Sequence, residues 1–215
     1  MTEIIHVVLH IDQYLAVWSQ AMGPWLYVLM FVIIFAETGL IVTPFLPGDS
    51  LLFALGALTA MDGGPDVYVM SGLLVLAAFL GDNVNFRFGY YIGPKVFAKK
   101  DSKIFNQDHL RKTHAFYEKY GAKAVVLARF APIVRTFVPF VAGVGKMDWK
   151  KFLLFNIFGA VVWINIFLLA GHFFGNLPSV KRNFHIVILA VIVVSVLPIV
   201  FELLKHKWAS RKVLS

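Results

Sequence analysis

The sequence has no cysteine, so a disulfide framework, thiolate chemistry and iron–sulfur ligation are all excluded. Charge is also scarce: 15% of residues are charged, against about 25% in soluble domains. The acidic residues are the fewer, 12 Asp+Glu against 20 Lys+Arg. The 7 histidines are scattered without a His/Asp/Glu cluster at metal-ligand spacing, so no metal is expected. No G-x-S-x-G, Walker A or dinucleotide fingerprint occurs, so no ATP-driven engine is encoded and no cofactor is expected. Residues 1–23 lack Lys, Arg and a small-residue cleavage site. They read as an N-terminal amphipathic segment rather than a signal peptide.

What is present is apolar. Hydrophobic residues make up 59% of the 215 and the mean hydropathy is +0.76. A fold of this length cannot hide that excess from water, so the surplus faces lipid. Disorder is excluded for the same reason. The net charge of +8 gathers between apolar stretches, which fits membrane orientation rather than nucleic-acid binding, since no stacking or groove-reading motif accompanies it.

Trp25–Val42 is close to the length that crosses a ~30 Å hydrocarbon core. Val67–Leu80, continued by the more polar GDNVNFRFGYYIG, is a second span; Phe152–Ala170 and Phe184–Leu204 are the third and fourth. Two pieces do not fit a lipid-facing helix. Pro44–Ala60 opens on PFLPGD, and Ala124–Val144 contains Arg129, Pro132, Arg135 and Pro139. Proline removes backbone donors and charge resists hydrocarbon, so both read as re-entrant or broken helices satisfied by protein or a wet cavity. A shift of 95 residues lays Phe35-Ala36 on Phe130-Ala131, Pro44-Phe45 on Pro139-Phe140, and Gly48 on Gly143. Interrupted segments in two halves point to an inverted repeat around a central site.

The expected fold is an all-α polytopic membrane protein, a single domain with about four transmembrane helices and two opposed re-entrant helices. Its parts are the segment 1–23, a first repeat 24–93, a cytoplasmic basic loop or helix 94–121, a second repeat 122–172, and a last span with basic tail, 184–215. The loop from Lys95 to Lys123 and the tail with Lys205, Lys207, Arg211 and Lys212 place both termini in the cytoplasm, and Asp62 and Asp66 suit the outside. The base-free N-terminus and the outer position of Lys181 and Arg182 run against that orientation. Asp108–Gly121 reads as a surface amphipathic helix or as a solvated connector.

Four charged residues stand out. Glu37 and Asp49 lie in or beside apolar sequence, where desolvation favours the neutral carboxyl and poises it for proton exchange. Alternatively they pair with arginine, or Asp49 caps the helix from Ser50. Arg129 and Arg135 would face apart on a regular helix, but Pro132 breaks it, so both are able to meet one cavity. Guanidinium stays charged and grips phosphate in a bidentate fork; the alternative is that the two neutralise Glu37 and Asp49. Asp82, with Asn83, Asn85 and Arg87, lines a polar path or forms an internally paired interfacial end. Asn156 and Asn165 read as bonds between helices.

The chain resembles the DedA family of bacterial inner-membrane proteins. The resemblance rests on Glu37-Thr-Gly39, Pro44-Phe-Leu-Pro47-Gly48-Asp49, Gly81-Asp82, Lys112-Thr-His-Ala-Phe-Tyr-Glu-Lys119, and the long run Ala128-Arg129-Phe130-Ala131-Pro132-Ile-Val-Arg135-Thr-Phe-Val-Pro139-Phe-Val-Ala-Gly143. It implies a flippase that returns undecaprenyl phosphate, the carrier of cell-wall sugars, to the inner leaflet, with dependence on proton-motive force. It also implies functional roles for Glu37, Asp49, Arg129 and Arg135. The partners are then membrane lipid (undecaprenyl phosphate or a phospholipid) and protons, with a homo-oligomer left open. A passive scramblase, a proton-coupled cation antiporter and a polyprenyl diphosphate phosphatase are the rival readings. The phosphatase lacks a nucleophile beside a base, so no enzyme is expected, and two core arginines repel a cation.

Overall fold

The longest helices carry long apolar runs, and the run broken by Pro132 and Pro139 forms short ones. The computed structural model describes residues 21–40, 48–97, 120–131, 134–177 and 180. Among them the elements are α1 (Pro24–Gly39), α2 (Gly48–Thr59), α3 (Val67–Phe97), α4 (Ala124–Leu127), α5 (Val134–Val144) and α6 (Trp149–Gly175). Single 3-10 turns, Gly121–Lys123 and Ala128–Phe130, flank α4, and no strand occurs among the described residues.

The second and third expected spans are helices long and apolar enough to cross a membrane: Val67–Ile92 within α3, and α6. Only 33% and 39% of their most apolar stretches are buried, so most of that surface faces outward, unlike the core helix of a soluble protein. The first expected span is shorter than anticipated. α1 has 16 residues and stops at Gly39, reaching about 24 Å. The fourth span, the N-terminal segment to residue 20, the basic stretch 98–119 and residues 41–47 lie outside the described residues.

Local chemistry sets the ends. The Asp148 carboxylate accepts the Lys151 N–H at 3.0 Å and starts α6. α5 ends with Lys146 in the left-handed region (φ 50°) and the Met147 N–H returning to the Ala142 carbonyl at 3.0 Å, the hydrogen bonding of a Schellman turn. Between α4 and α5 the helix is interrupted at Ala131, which is extended at φ −116° and ψ 106°. The α conformation is disfavoured there because Pro132 follows.

The described residues fall into two compact units. One holds α2 and the end of α6, from Phe167. Within it a Cβ on Gly56 would strike the Leu168 carbonyl and the His172 N–H, and a Cβ on Gly171 the Phe53 carbonyl and the Ala57 N–H. The two backbones are therefore in direct contact, an approach that small residues permit in lipid. A polar chain seals this contact. Thr59 Oγ donates to the Gly56 carbonyl at 2.6 Å, so the Nδ1–H of His172 must donate to Thr59 Oγ at 2.8 Å.

The other unit holds α1, α3 from Tyr68, α4, α5 and α6 up to Ile166. Its core packs Phe86 of α3 and Phe152 of α6 against Ala124, Val125 and Ala128 of the broken helix and Val138 and Ala142 of α5. Here α5 meets α3 as α2 meets α6. A Cβ on Gly143 would strike the Phe86 carbonyl and the Tyr90 N–H, and a Cβ on Gly89 the Phe140 carbonyl. One contact is thus built twice: Phe53, Gly56, Leu168, Gly171 and His172 correspond to Phe140, Gly143, Phe86, Gly89 and Tyr90. This corrects the 95-residue shift, because the contact partners Gly143 with Gly56 and not with Gly48.

Candidate functional site: two buried arginine–carboxylate pairs

Helices α1 and α3 cross where glycine faces glycine. A Cβ on Gly39 would lie 3.3 Å from the Gly81 Cα, and one on Gly81 would strike Thr38 Oγ. This close approach sets Glu37, two residues before Gly39, level with Asp82, the residue after Gly81. Both carboxylates are buried. The interruption at Ala131 then brings an arginine from each side of the break to these helices.

Arg129, from the 3-10 turn, pairs with the Asp82 carboxylate. Its Nη2 also donates to Asn156 Oδ1 at 2.6 Å, and Asn156 Nδ2 in turn donates to the Phe79 carbonyl of α3 at 3.1 Å. Arg135, in the first turn of α5, pairs with Glu37, Nη1 to Oε1 at 3.2 Å. All four side chains are at most 8% exposed. Among the described residues these buried cations and anions thus match one for one, as burial requires. The indole of Trp163 meets both guanidiniums, with the Arg135 Cζ 4.1 Å and the Arg129 Cζ 5.8 Å from its centroid.

Asn85 ties these elements together. Its amide donates to the carbonyls of Thr38 (3.2 Å) and Thr136 (2.6 Å), the residues that follow Glu37 and Arg135. One side chain of α3 therefore fixes the backbones carrying both members of an ion pair. Replacing Asn85 by leucine should remove both of these bonds and cost about 1–2 kcal/mol, read as a fall in melting temperature in detergent. An unchanged melting temperature would remove this role. Asn85 Oδ1, Thr136 Oγ and Arg129 Nε are buried with no hydrogen-bond partner among the described residues. The site therefore has spare capacity for a polar group or water.

Of the residues singled out in the sequence, Glu37, Asp82, Arg129 and Arg135 gather in this unit. Asp49 lies in the first turn of α2, in the other unit. Asn165 bonds Ser71 across α6 and α3, Oγ to Oδ1 at 2.9 Å, as expected of an interhelical amide. Sequence reasoning placed Asn85 in a polar cluster with Asp82 and Asn156 between helices, gave neither a part in holding the arginine pairs, and missed Trp163. A signal was available. Asn156, Gly159 and Trp163 recur at helical spacing on one face of α6, and a Cβ on Gly159 would come within 3.0 Å of Arg129 Nε. The stripe is the wall on which the arginines rest.

The sequence of residues 46–173 matches the VTT domain. The chain is 49% identical to Protein DedA of Escherichia coli K12 over 210 residues, covering 97% of this chain and 96% of that protein. It is 46% identical over 168 residues to a membrane protein of Mycobacterium tuberculosis, covering 78% and 74% of the two chains. It is 32% identical over 173 residues to Inner membrane protein YqjA of Escherichia coli K12, covering 76% and 77%. No solved structure matches the chain. Identity along nearly the whole length, together with the outward-facing apolar helices, places the chain among membrane proteins of the DedA family, with the VTT domain at residues 46–173.

Proposed function

We propose that this protein is a transporter, a flippase that moves lipid phosphate across the bacterial cytoplasmic membrane, with undecaprenyl phosphate returned for envelope biogenesis as its substrate. In this reading four spans and two opposed broken helices cross or enter the bilayer, both termini face the cytoplasm, and no covalent chemistry occurs. The carrying observation is the pair of buried arginines, each held by a carboxylate among apolar helices. A buried guanidinium offers a phosphate head the donors it loses on leaving water, while the polyprenyl tail stays in lipid. The repeated glycine contact supports a fold of two like halves. The similarity to YqjA, named an inner membrane protein, supports the inner-membrane setting.

The exchange runs on competition for the same donors. With Glu37 ionised, Arg135 is occupied; once Glu37 takes a proton, the guanidinium is released to phosphate, and deprotonation recaptures it and expels the ligand. Asp82 plays the same part toward Arg129. Asp49 enters as a further proton-coupling carboxylate through the family resemblance.

The test is flipping of undecaprenyl phosphate in proteoliposomes with and without a pH gradient. Flipping that follows the gradient and is lost in Arg129→Ala supports the reading. Flipping indifferent to the gradient indicates a scramblase, and no binding at all sinks the proposal. Arg135→Lys keeps the charge but loses the fork, so flipping should fall at least about tenfold. Wild-type rates in that variant would remove the bidentate argument.

A further inference from the structure

The role of Trp163 follows from a difference in direction between the two kinds of contact the arginines make. A guanidinium donates hydrogen bonds in its own plane and meets an aromatic ring with its face. The carboxylates of Glu37 and Asp82 and the amide of Asn156 take up in-plane donors. The Trp163 ring lies against the guanidinium carbons, both within the ~6 Å over which the ring quadrupole attracts a cation. An anion that displaces a carboxylate competes for the edges and leaves the ring contact in place. The two guanidinium carbons also stay at most about 10 Å apart, since both lie over one centroid at 4.1 and 5.8 Å. Burial alone does not call for an indole at this fully buried position, since cores are filled by apolar side chains of many shapes when total volume is kept. Indole is the side chain with the strongest attraction for a cation.

We propose that Trp163 is a positioning residue, a shared cation–π floor that holds Arg129 and Arg135 side by side while their donors exchange carboxylate for the phosphate of a lipid. The proposal rests on the transport reading above and deepens it. Without the ring, a guanidinium released by its carboxylate is free to swing, and the two arginines no longer present one site.

The test is progressive fluorination of Trp163 in the full-length protein, introduced at that one of the chain's 5 tryptophans. Fluorine drains the ring while nearly preserving its shape, so a packing role would not respond. Two quantities are read in detergent: melting temperature, which needs no ligand, and equilibrium affinity for a polyprenyl phosphate. We expect both to fall stepwise with fluorine number, the affinity by about fivefold to thirtyfold across the series. The melting-temperature slope should be shallower in Arg135→Met. If both quantities are flat, or the affinity alone is flat, the proposal is overturned. A wild type that binds no polyprenyl phosphate but melts stepwise lower on fluorination would sink the transport reading while upholding the ring's hold on the arginines.

Discussion

Replacing Arg129 by methionine should destabilise the protein by about 3–5 kcal/mol and abolish lipid-phosphate flipping, the larger effect of the two arginines on the fold. The stability loss comes from Asp82, which is left buried beside an apolar side chain. The double variant Arg129→Met/Asp82→Leu separates fold from function. Removing both charges lifts the desolvation burden, and buried ion pairs exchanged for apolar residues are commonly neutral or stabilising. Most of the melting temperature should therefore return while flipping stays absent. If the double variant melts as low as the single one, Asp82 is not the source of the loss. If it flips lipid phosphate normally, Arg129 does not bind the head group.

The second large effect is steric. Gly143→Leu and Gly171→Leu each force a side chain into a neighbouring helix's backbone carbonyl, Phe86 in one case and Phe53 in the other. A side-chain neighbour can rotate away, whereas a helical carbonyl moves only with its helix, so each variant should lose about 3 kcal/mol or more. Gly72 of α3 is the control. A Cβ there meets nothing within 4 Å, and Gly72→Ala should be stabilising by about 0.5–1 kcal/mol through helix propensity. Thermal denaturation of the four proteins in one detergent decides the matter. Equal effects at positions 72 and 143 would show that close approach is not what the glycines serve.

Part of this architecture was legible without coordinates. The spans that became α3 and α6 follow from apolar length alone, and the isolated charges of Arg129, Arg135 and Glu37 stand out because hydrocarbon makes any charge conspicuous. The break between the arginines was legible in Pro132, since a proline restricts the residue before it. Partner choice was not legible. Asp82 lies in a polar-looking stretch, GDNVNFR, and nothing along the chain marks its apposition to Arg129, which the Gly39–Gly81 crossing and the Ala131 break together produce. Trp163 reads as one more aromatic in an aromatic-rich span. The internal repeat was misaligned because no single shift describes it. Gly56 and Gly89 are 33 residues apart, but Gly143 and Gly171 only 28, so the short helices align at a shift of 87 and the long ones at 82.

The twice-built glycine contact also dictates where the chain tolerates a change in length. Gly89 and Gly171 both stand 22 residues beyond the first residue of their helices, Val67 and Trp149. One residue inserted upstream in either helix would carry its glycine about 100° around the axis and 1.5 Å along it, presenting a side chain to the facing carbonyl. Insertions and deletions are therefore confined to connections such as the one between Thr59 and Val67. The phase of the two long helices behaves as a fixed clock on which the rest of the sequence is free to drift.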